Sequence, residues 1–316
     1  MVITRMVSAR MVSQGLADPR VTTVVDAVRR VVAVQSQDVR MARLAIRVRT
    51  QGLTRSDVDS AVASGEVVRT WAMRGTLHML AAEDAGWVVS LLGPRFAHGL
   101  RGRRHRLGLA DDVVEEAAEI VATDEPANRA ELMARLASAG IEIDVKSQAP
   151  AHVLAYAAMT GRIRRGPDRS DTEPTYVRFD PGPAVDADAA VERLAERYVA
   201  GHAPAAAEDF AAWSGLPLGV ARKGFREVEP VPVAGSGVVR LLGHFDPYLL
   251  GYRSREVVPA EMRGRVWTGG GFVMPVVVVD GRVVATWRRV KGEVETEPAV
   301  DVRAEIEDLL RWEGMG

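Results

Sequence analysis

The sequence VVRTWAMRGTLHML, residues 67–80, contains two runs rich in β-branched, aromatic and other apolar residues. These runs, Val67–Trp71 and Thr76–Leu80, flank Met73-Arg74-Gly75. A glycine at the end of such a short connection permits the positive φ angle that a tight turn requires. Residues 67–80 therefore predict a two-stranded antiparallel ribbon.

Helical patterns precede this ribbon. Apolar residues recur at helical spacing in three segments, and Thr54 opens a fourth, short helix that runs to Gly65. The three segments are Thr4–Gln14, Thr22–Val34 and Arg40–Thr50. Helices followed by a two-stranded ribbon are the arrangement of a winged helix.

The same arrangement recurs twice, at a spacing of roughly 70 to 90 residues. The second copy has predicted helices at Asp112–Ala122, Arg129–Ala139 (with Asn128 as the N-cap) and Pro150–Met159, and strands at Arg162–Arg165 and Thr175–Phe179. The third has predicted helices at Ala187–Ala200, Ala206–Trp213 and Leu218–Val228, followed by extended chain over Val231–Leu242. The recurrence predicts three tandem winged helices.

The remaining chain has a β-rich character. Strand-like runs at Arg265–Thr268, Val273–Val279 and Arg282–Arg288 alternate with glycine-rich turns, and a helix is predicted at Val302–Trp312. We therefore predict an α+β protein with winged helices at residues 1–92, 93–182 and 183–242, and a small β-barrel-like domain at residues 243–316.

The net charge of −1 over 316 residues conceals a strong asymmetry. Residues 1–107 contain 17 arginines and 8 acidic residues, a balance of +9, which leaves −10 for residues 108–316. Because positive charge is the usual footprint of nucleic-acid binding, any contact with a polyanion is expected in the N-terminal third.

Composition excludes several classes of site. The chain has no cysteine, and its six histidines form no HxxxH or HxH pair, so we expect no metal and no cofactor. Absence of cysteine and of any apolar run near 18 residues fits a protein of the cytoplasm that does not enter a membrane.

Gln35-Ser36-Gln37-Asp38 is the first candidate for chemistry. Two glutamines separated by one residue lie on the same side of an extended chain, where both amides can face one target. A glutamine amide has an acceptor and donors and does not ionise, so two of them can hold and orient a water molecule. The alternative is a polar helix end whose side chains cap backbone groups or face solvent.

Basic residues supply candidate DNA contacts. Arg69 and Arg74 of the ribbon are placed to reach phosphates or the minor groove, whereas His78 is either a contact or a structural hydrogen-bonding residue. Residues 95–106 (RFAHGLRGRRHR) have no acid and are predicted to form a flexible basic loop, or alternatively a solvated charge run. The full candidate set is Arg40, Arg43, Arg69, Arg74, His78, Arg101, Arg103, Arg104, Arg162 and Arg164.

Four separated motifs carry a family resemblance. They are VVAVQSQD, RTWAMRGTLH, FDPYLLGYRSR and VVVVDGRVVATWRR, and they occur in this order from residue 31 to residue 289. With these motifs the chain resembles the AlkZ-like winged-helix DNA glycosylases, over nearly its whole length. The resemblance implies three tandem winged helices and a C-terminal β-barrel around a DNA channel.

The resemblance also implies an activity and a site. Members of that family excise alkylated purines, some from interstrand crosslinks, with a Gln-x-Gln or Gln-x-Asp motif. Gln35 and Gln37 match the Gln-x-Gln form, which implies that Gln37 holds the water and that Gln35 orients it or contacts the sugar. A cationic N7- or N3-alkylated purine is already a good leaving group, so no strong general acid is needed.

These observations predict a monofunctional DNA glycosylase. No lysine precedes Lys146, so a Schiff-base lyase step in the N-terminal domain is not expected. The expected partner is double-stranded DNA, bound by a monomer in the cytoplasm at the nucleoid. The alternative is a non-catalytic winged-helix DNA-binding protein, such as a transcriptional regulator, because a fold alone does not establish a function.

Overall fold

The computed structural model describes residues 2–183, 185–227 and 235–315. The helices in chain order are α1 Val2–Ser13, α2 Val24–Val31, α3 Val39–Arg47, α4 Arg55–Ala63, α5 Ala82–Gly99, α6 Arg101–Arg106, α7 Asp111–Ile120, α8 Arg129–Ser138, α9 Ala149–Met159, α10 Ala187–His202, α11 Ala207–Ser214, α12 Leu218–Gly224, α13 Pro247–Leu250, α14 Arg263–Val266 and α15 Arg303–Trp312. The strands are β1 Val34–Gln35, β2 Val67–Trp71, β3 Leu77–Ala81, β4 Ala127–Asn128, β5 Ile163–Arg165, β6 Thr175–Arg178, β7 Val239–Leu242, β8 Val276–Val279, β9 Arg282–Val290 and β10 Glu293–Glu297.

Two compact units make up the chain. We call Met1–Ala61 together with Glu192–Gly316 the terminal unit, and Val62–Val191 the central unit. The mixed α and β character is as predicted. No helix in the described part of the chain is long and apolar enough to cross a membrane.

The terminal unit has an antiparallel sheet with the strand order β10-β9-β8-β7. One apolar cluster joins α1 to this sheet through residues such as Met11, Leu242, Tyr248 and Val276, all buried. A second cluster packs Leu44 of α3 against the sheet and against α15. The helix that carries Leu44 is thus held by the core of the unit on one face.

The prediction of a β-barrel-like C-terminal domain is wrong. Among the described residues, the four strands of this sheet end at β7 and β10, and no ladder closes β7 onto β10. The first two residues of the predicted strand Arg265–Thr268 belong instead to α14, which covers Arg263–Val266. The Gly-rich sequence around this segment indicated turns correctly, but a four-residue apolar and basic run does not distinguish a strand from one helical turn.

The central unit contains the predicted ribbon. β2 and β3 pair antiparallel, with Val67 opposite Ala81 and Trp71 opposite Leu77. Its strands follow the order β3-β2-β5-β6-β4, and a core formed by α7, α8, α9 and neighbouring strands packs beneath them. Asn128 begins α8 with a reciprocal capping box to Glu131, which confirms the predicted cap.

Residues 95–106 do not form the predicted basic loop. They continue α5 to Gly99 and then form α6, Arg101–Arg106. Glycine lowers helix propensity by only about 1 kcal/mol, so Gly99 and Gly102 are tolerated where neighbouring contacts favour the helix. Part of the predicted extended segment Val231–Leu242 lies outside the described residues, as does Val228 at the end of the predicted helix Leu218–Val228.

Candidate functional site

The chain leaves helical geometry just before the two glutamines. The Thr23 hydroxyl accepts a hydrogen bond from the backbone N–H of Asp26 and begins α2. α2 ends at Val31, because Val32 has φ of +67°. The predicted helix Thr22–Val34 is therefore shorter than expected, and Gln35 belongs to β1 rather than to a helix end.

Gln35 and Gln37 contact each other directly. The Gln35 Nε2 amide donates a hydrogen bond of 2.7 Å to Gln37 Oε1. Ser36 between them is fully buried, whereas Gln37 is exposed, as expected when alternate residues of an extended chain face opposite sides. The structure thus brings the two predicted catalytic amides together in the terminal unit.

Asp38 connects the glutamine pair to α3. Its carboxylate caps α3 by accepting from the Arg40 backbone N–H at 3.0 Å, and it also accepts from the Arg40 guanidinium at 2.9 and 3.1 Å. Partial burial raises the pKa of Asp38, but the hydrogen bonds and charge of Arg40 outweigh it and leave the pKa lowered. Asp38 is therefore an ionised capping residue at neutral pH, and not a proton donor.

The two predicted DNA contacts of α3 differ in exposure. The Arg40 side chain is exposed, while Arg43 is only 6% exposed and donates to Asp59 Oδ1 at 2.8 and 2.6 Å. Arg40 thus lies at the surface next to Gln37, and Arg43 is held against α4 by its ion pair.

The ribbon places its three candidate residues differently. Arg69 is buried and paired with Asp168, and His78 is 2% exposed with Nδ1 against the Thr76 carbonyl at 2.8 Å. Burial, together with the charge of Arg74, lowers the pKa of His78 to about 3. A neutral, buried imidazole supports the structural role that the sequence left open for His78.

Arg74 occupies the turn itself. Its φ of +55° is left-handed, as is that of Gly75 at +69°. A left-handed non-glycine residue costs about 1–2 kcal/mol, so the surrounding contacts must fix this turn. Burial also lowers the pKa of Arg74 to about 10, which leaves the guanidinium charged at neutral pH.

The basic segment 101–106 is tied to neighbouring helices. Arg101 pairs with Asp111, and Arg103 donates to Gln148 at 2.9 Å. Arg104 is buried, donates to the Ala97 carbonyl at 2.6 Å and lies 4.5 Å from the centre of the Tyr156 ring. Of these three, Arg101 and Arg103 remain accessible at the surface, whereas the buried Arg104 stabilises α5 and α6.

The arginines of the second ribbon, which consists of β5 and β6, also make contacts within the protein. Arg162 pairs with Glu115 at 2.6 Å and with Glu119, while Arg164 is half-buried and donates to the Arg165 carbonyl. Arg165, the last residue of the predicted strand Arg162–Arg165, lies opposite Arg69 in the β2–β5 pairing. Its guanidinium stacks on the Tyr176 ring at 4.3 Å.

The terminal unit also brings together basic residues whose convergence the sequence analysis did not predict. A cavity of about 370 Å³ adjoins α3 and is lined by Arg40, Arg43, Arg55, His244, Arg288 and Arg289, among others. The arginines come from separate stretches of the sequence, so no local motif could have revealed their convergence.

No group of three or more His, Asp and Glu side chains that could hold a metal ion occurs among the residues for which the structure gives positions. The chemistry available at the glutamine pair is therefore that of neutral amides: accepting from and donating to a water molecule or a sugar, in a basic surrounding.

Comparisons with known proteins identify the family of the chain. The family described as DNA glycosylase AlkZ-like matches residues 28–312. A curated relative from Streptomyces sahachiroi, an interstrand DNA cross-link repair glycosylase, is 30% identical over 320 residues, covering 87% of this chain and 85% of the relative. The solved structure of Streptomyces sahachiroi DNA glycosylase AlkZ is similar with a TM-score of 0.80 at 28% identity, covering 98% of this chain and 96% of that one.

The protein is a DNA glycosylase. The family match begins within α2, includes the glutamine pair and extends to the last residue of α15. The chain belongs to the AlkZ-like DNA glycosylase family.

Proposed function

We propose that this glycosylase hydrolyses the N-glycosidic bond of cationic, N7- or N3-alkylated purines in double-stranded DNA, with water positioned by Gln35 and Gln37. The observation that carries the proposal is the 2.7 Å hydrogen bond between Gln35 Nε2 and Gln37 Oε1 on an extended, partly exposed segment. One amide thereby fixes the orientation of the other without a charged base.

The chemistry suits the substrate. A carbonyl oxygen accepts two hydrogen bonds, so Gln37 Oε1 has capacity for a water proton while it accepts from Gln35. The alkylated base departs with its positive charge neutralised, and the sugar becomes oxocarbenium-like. The remaining task is to deliver water to C1′ in a fixed geometry, which positioning groups can accomplish.

Substrate size is part of the proposal. The similar protein from Streptomyces sahachiroi is named for interstrand cross-link repair, and we extend that range to this chain as bulky adducts and crosslinks. A crosslinked purine cannot swing into a tight pocket, so an exposed glutamine pair is a better match to such a lesion than an enclosed one. Asp38, an ionised neighbour, adds negative charge near a positively charged sugar.

The DNA contacts are proposed for both units. Arg40 belongs to the same segment as the glutamines, and the proposed contacts of the central unit are Arg74, Arg101, Arg103, Arg162 and Arg164. The other predicted contacts, Arg43, Arg69, His78 and Arg104, are buried, and we propose that they hold the elements that present the exposed arginines. We keep the division into winged helices at residues 1–92, 93–182 and 183–242 as a proposal, together with a monomeric state and a location in the cytoplasm at the nucleoid.

The test is base release. Duplexes that carry N7-methylguanine, a bulky N7 monoadduct or an N7 interstrand crosslink are incubated with the protein, and the released base and alkali-labile sites are measured. We expect release by the wild-type protein, alkali-labile rather than cleaved strands, and loss of release in the Gln35→Ala/Gln37→Ala double variant. Full activity of the double variant would remove the glutamines from the mechanism.

A further inference from the structure

An exposed aromatic ring stands beside the cavity next to α3. Phe272 is 53% exposed and follows Gly269, Gly270 and Gly271, all of which have positive φ angles of 99°, 59° and 80°. About half of the Phe272 side chain is therefore accessible to a ligand. The glycines allow a backbone path that presents the ring.

The ring of Phe272 is supported from behind. It lies 5.8 Å from the centre of the Phe245 ring and 5.8 Å from that of His244, in an edge-on arrangement with the latter. His244 Nδ1 is 2.8 Å from the Val273 carbonyl, which ties the loop to the aromatic group. Phe245 is itself strained, with φ of +60°. The three rings form a fixed platform rather than a freely moving side chain.

Most of the charged side chains that line the cavity beside this platform are basic. Five arginines and one glutamate line it, together with His244, which belongs to both the platform and the cavity. A larger cavity of the same unit, about 1140 Å³, is lined by five carboxylates and four arginines and so does not favour an anion. The sign of the charge therefore distinguishes the smaller cavity as the anion site.

The arginines of the cavity are held in place by carboxylates. Arg289 is paired with Glu313 at 2.7 Å through both of its terminal nitrogens, and Arg288 is paired with Glu295 at 2.9 Å. Arginine has five N–H donors, and a bidentate carboxylate occupies two of them. Donors remain for a phosphate oxygen, and the bound carboxylates reduce the conformational entropy lost when DNA arrives.

An apolar floor completes the cavity. Trp287 and Trp312 are buried beneath it, and the Trp287 Nε1–H donates to the Leu242 carbonyl at 2.8 Å. Arg40 lines the same cavity and binds Asp38, the residue after Gln37. Arg40 therefore links the cavity to the segment that carries the glutamine pair.

We propose that the His244–Phe245–Phe272 platform and the adjoining arginine cavity bind one unstacked nucleotide of the DNA next to the lesion, with its base on Phe272 and its phosphate at the arginines. Stacking on an aromatic ring is independent of base identity, because every base has a π face. Arginine recognises phosphate with a planar, forked set of donors. The inference rests on the proposed function, since it places this nucleotide beside the glutamine pair.

The base contact is tested by binding. Fluorescence anisotropy measures the affinity of Phe272→Ala, Phe272→Leu and Phe272→Tyr for a duplex with a tetrahydrofuran abasic analogue at the lesion position. Loss of one base–ring stack corresponds to an affinity lower by about 5- to 150-fold for the Ala and Leu variants, whereas Tyr keeps the wild-type affinity. Val145→Ala, at another exposed apolar residue, is the control and is expected to bind as the wild type does.

A series of duplexes, each with a second tetrahydrofuran residue at a different position on either strand, locates the nucleotide that Phe272 contacts. At one position, removal of the base is expected to abolish the difference between wild-type protein and Phe272→Ala, because the stack is then absent in both. The phosphate contact is tested with Arg288→Ala, which is expected to reduce the slope of log affinity against log salt by about 1. Arg303→Ala, which removes an exposed arginine paired with Asp301, is expected to leave the slope unchanged.

The outcomes separate this inference from the proposed function. An effect of Phe272→Ala that is absent, or that persists equally at every abasic position, would overturn the base contact. An unchanged salt slope for Arg288→Ala would overturn the phosphate contact at that residue. If the wild-type protein still releases alkylated bases, either result would leave the proposed function intact. If the wild-type protein releases no base but the effect of Phe272→Ala disappears at one abasic position as expected, the nucleotide contact would stand and the proposed function would be wrong.

Discussion

Asp246 supports the segment that carries the candidate site, and its replacement should be severely destabilising. Arg49 and Asp246 are fully buried and form a bidentate ion pair with distances of 2.9 and 2.7 Å. Arg49 also donates to the Gln14 side chain and to the Ala45 carbonyl of α3. The same Asp246 carboxylate caps α13 by accepting from the Tyr248 N–H at 2.8 Å.

The magnitude for Asp246→Ala follows from these contacts. An arginine left buried without its partner costs about 3–5 kcal/mol, and loss of a helix cap about 1 kcal/mol more. The free energy of unfolding should therefore fall by about 4–6 kcal/mol, a large part of the usual 5–15 kcal/mol. Asp301→Ala removes an exposed partner of Arg303 and should lower the free energy of unfolding far less, because solvent screens exposed ion pairs.

Urea unfolding followed by circular dichroism measures both variants. The Arg49→Met/Asp246→Ala double variant should be more stable than Asp246→Ala alone, because the orphaned charge is gone. If Asp246→Ala is no less stable than Asp301→Ala, or if the double variant loses the sum of the two single effects, the ion pair does not have this role.

Three further predictions concern stability and the start of α3. Burial lowers the pKa of His78 and of His202 to about 3, so in the folded state both stay neutral where the unfolded residues, with pKa values near 6.5, take up a proton. The contribution of each neutral histidine to the free energy of unfolding is complete above pH 6.5 and is lost as the pH falls toward 3. From pH 7 to pH 5 we expect a loss of about 2 kcal/mol for each histidine, measured by urea titration. A urea midpoint that does not change with pH over that range would contradict this prediction. Gly93→Ala should destabilise the protein by about 1–3 kcal/mol or more, because the new Cβ would lie 1.8 Å from the Met159 carbonyl oxygen. The control is Gly99→Ala at the end of the same helix, where the new Cβ meets nothing within 4 Å and the effect should be neutral or slightly stabilising. Equal melting temperatures for the two variants would refute the packing argument. Asp38→Ala removes the α3 cap, so it should lower the free energy of unfolding by about 0.5–2 kcal/mol and slow base release. Asp38→Asn still caps the helix and should retain more of the stability and more of the base release than Asp38→Ala. The reverse order would show that the charge of Asp38 matters more than its cap.

Local patterns predicted most helices, strands and caps, because those depend on residues close in sequence. Asn128 and Gly75 are in the positions that capping and turn chemistry indicate. The Gln-x-Gln segment was predictable as a candidate since its spacing and amide chemistry are local. Its direct 2.7 Å contact depends on where α2 ends, and the left-handed Val32 is a tertiary outcome that valine itself disfavours.

Long-range pairings were not predictable from one sequence. Arg43 with Asp59, Arg47 with Glu305 and Arg49 with Asp246 bury charges whose partners lie 16, 258 and 197 residues away. Each of these arginines reads in the sequence as a basic surface residue, and only the fold shows that it is packed inside. The basic segment 95–106 reads as a loop for a related reason, since its helical conformation is stabilised by Gln148, Asp111 and Tyr156 from elsewhere in the chain.

Single-turnover base release from a duplex with one N7-methylguanine tests the central claim most directly, with wild-type protein, Gln35→Ala, Gln37→Ala and the double variant compared. If the two amides position one water as a unit, each single variant should lower the rate by about 10²- to 10³-fold, and the double variant should be no slower than the slower single variant. Independent, multiplicative losses, or a single variant with the wild-type rate, would contradict a shared water.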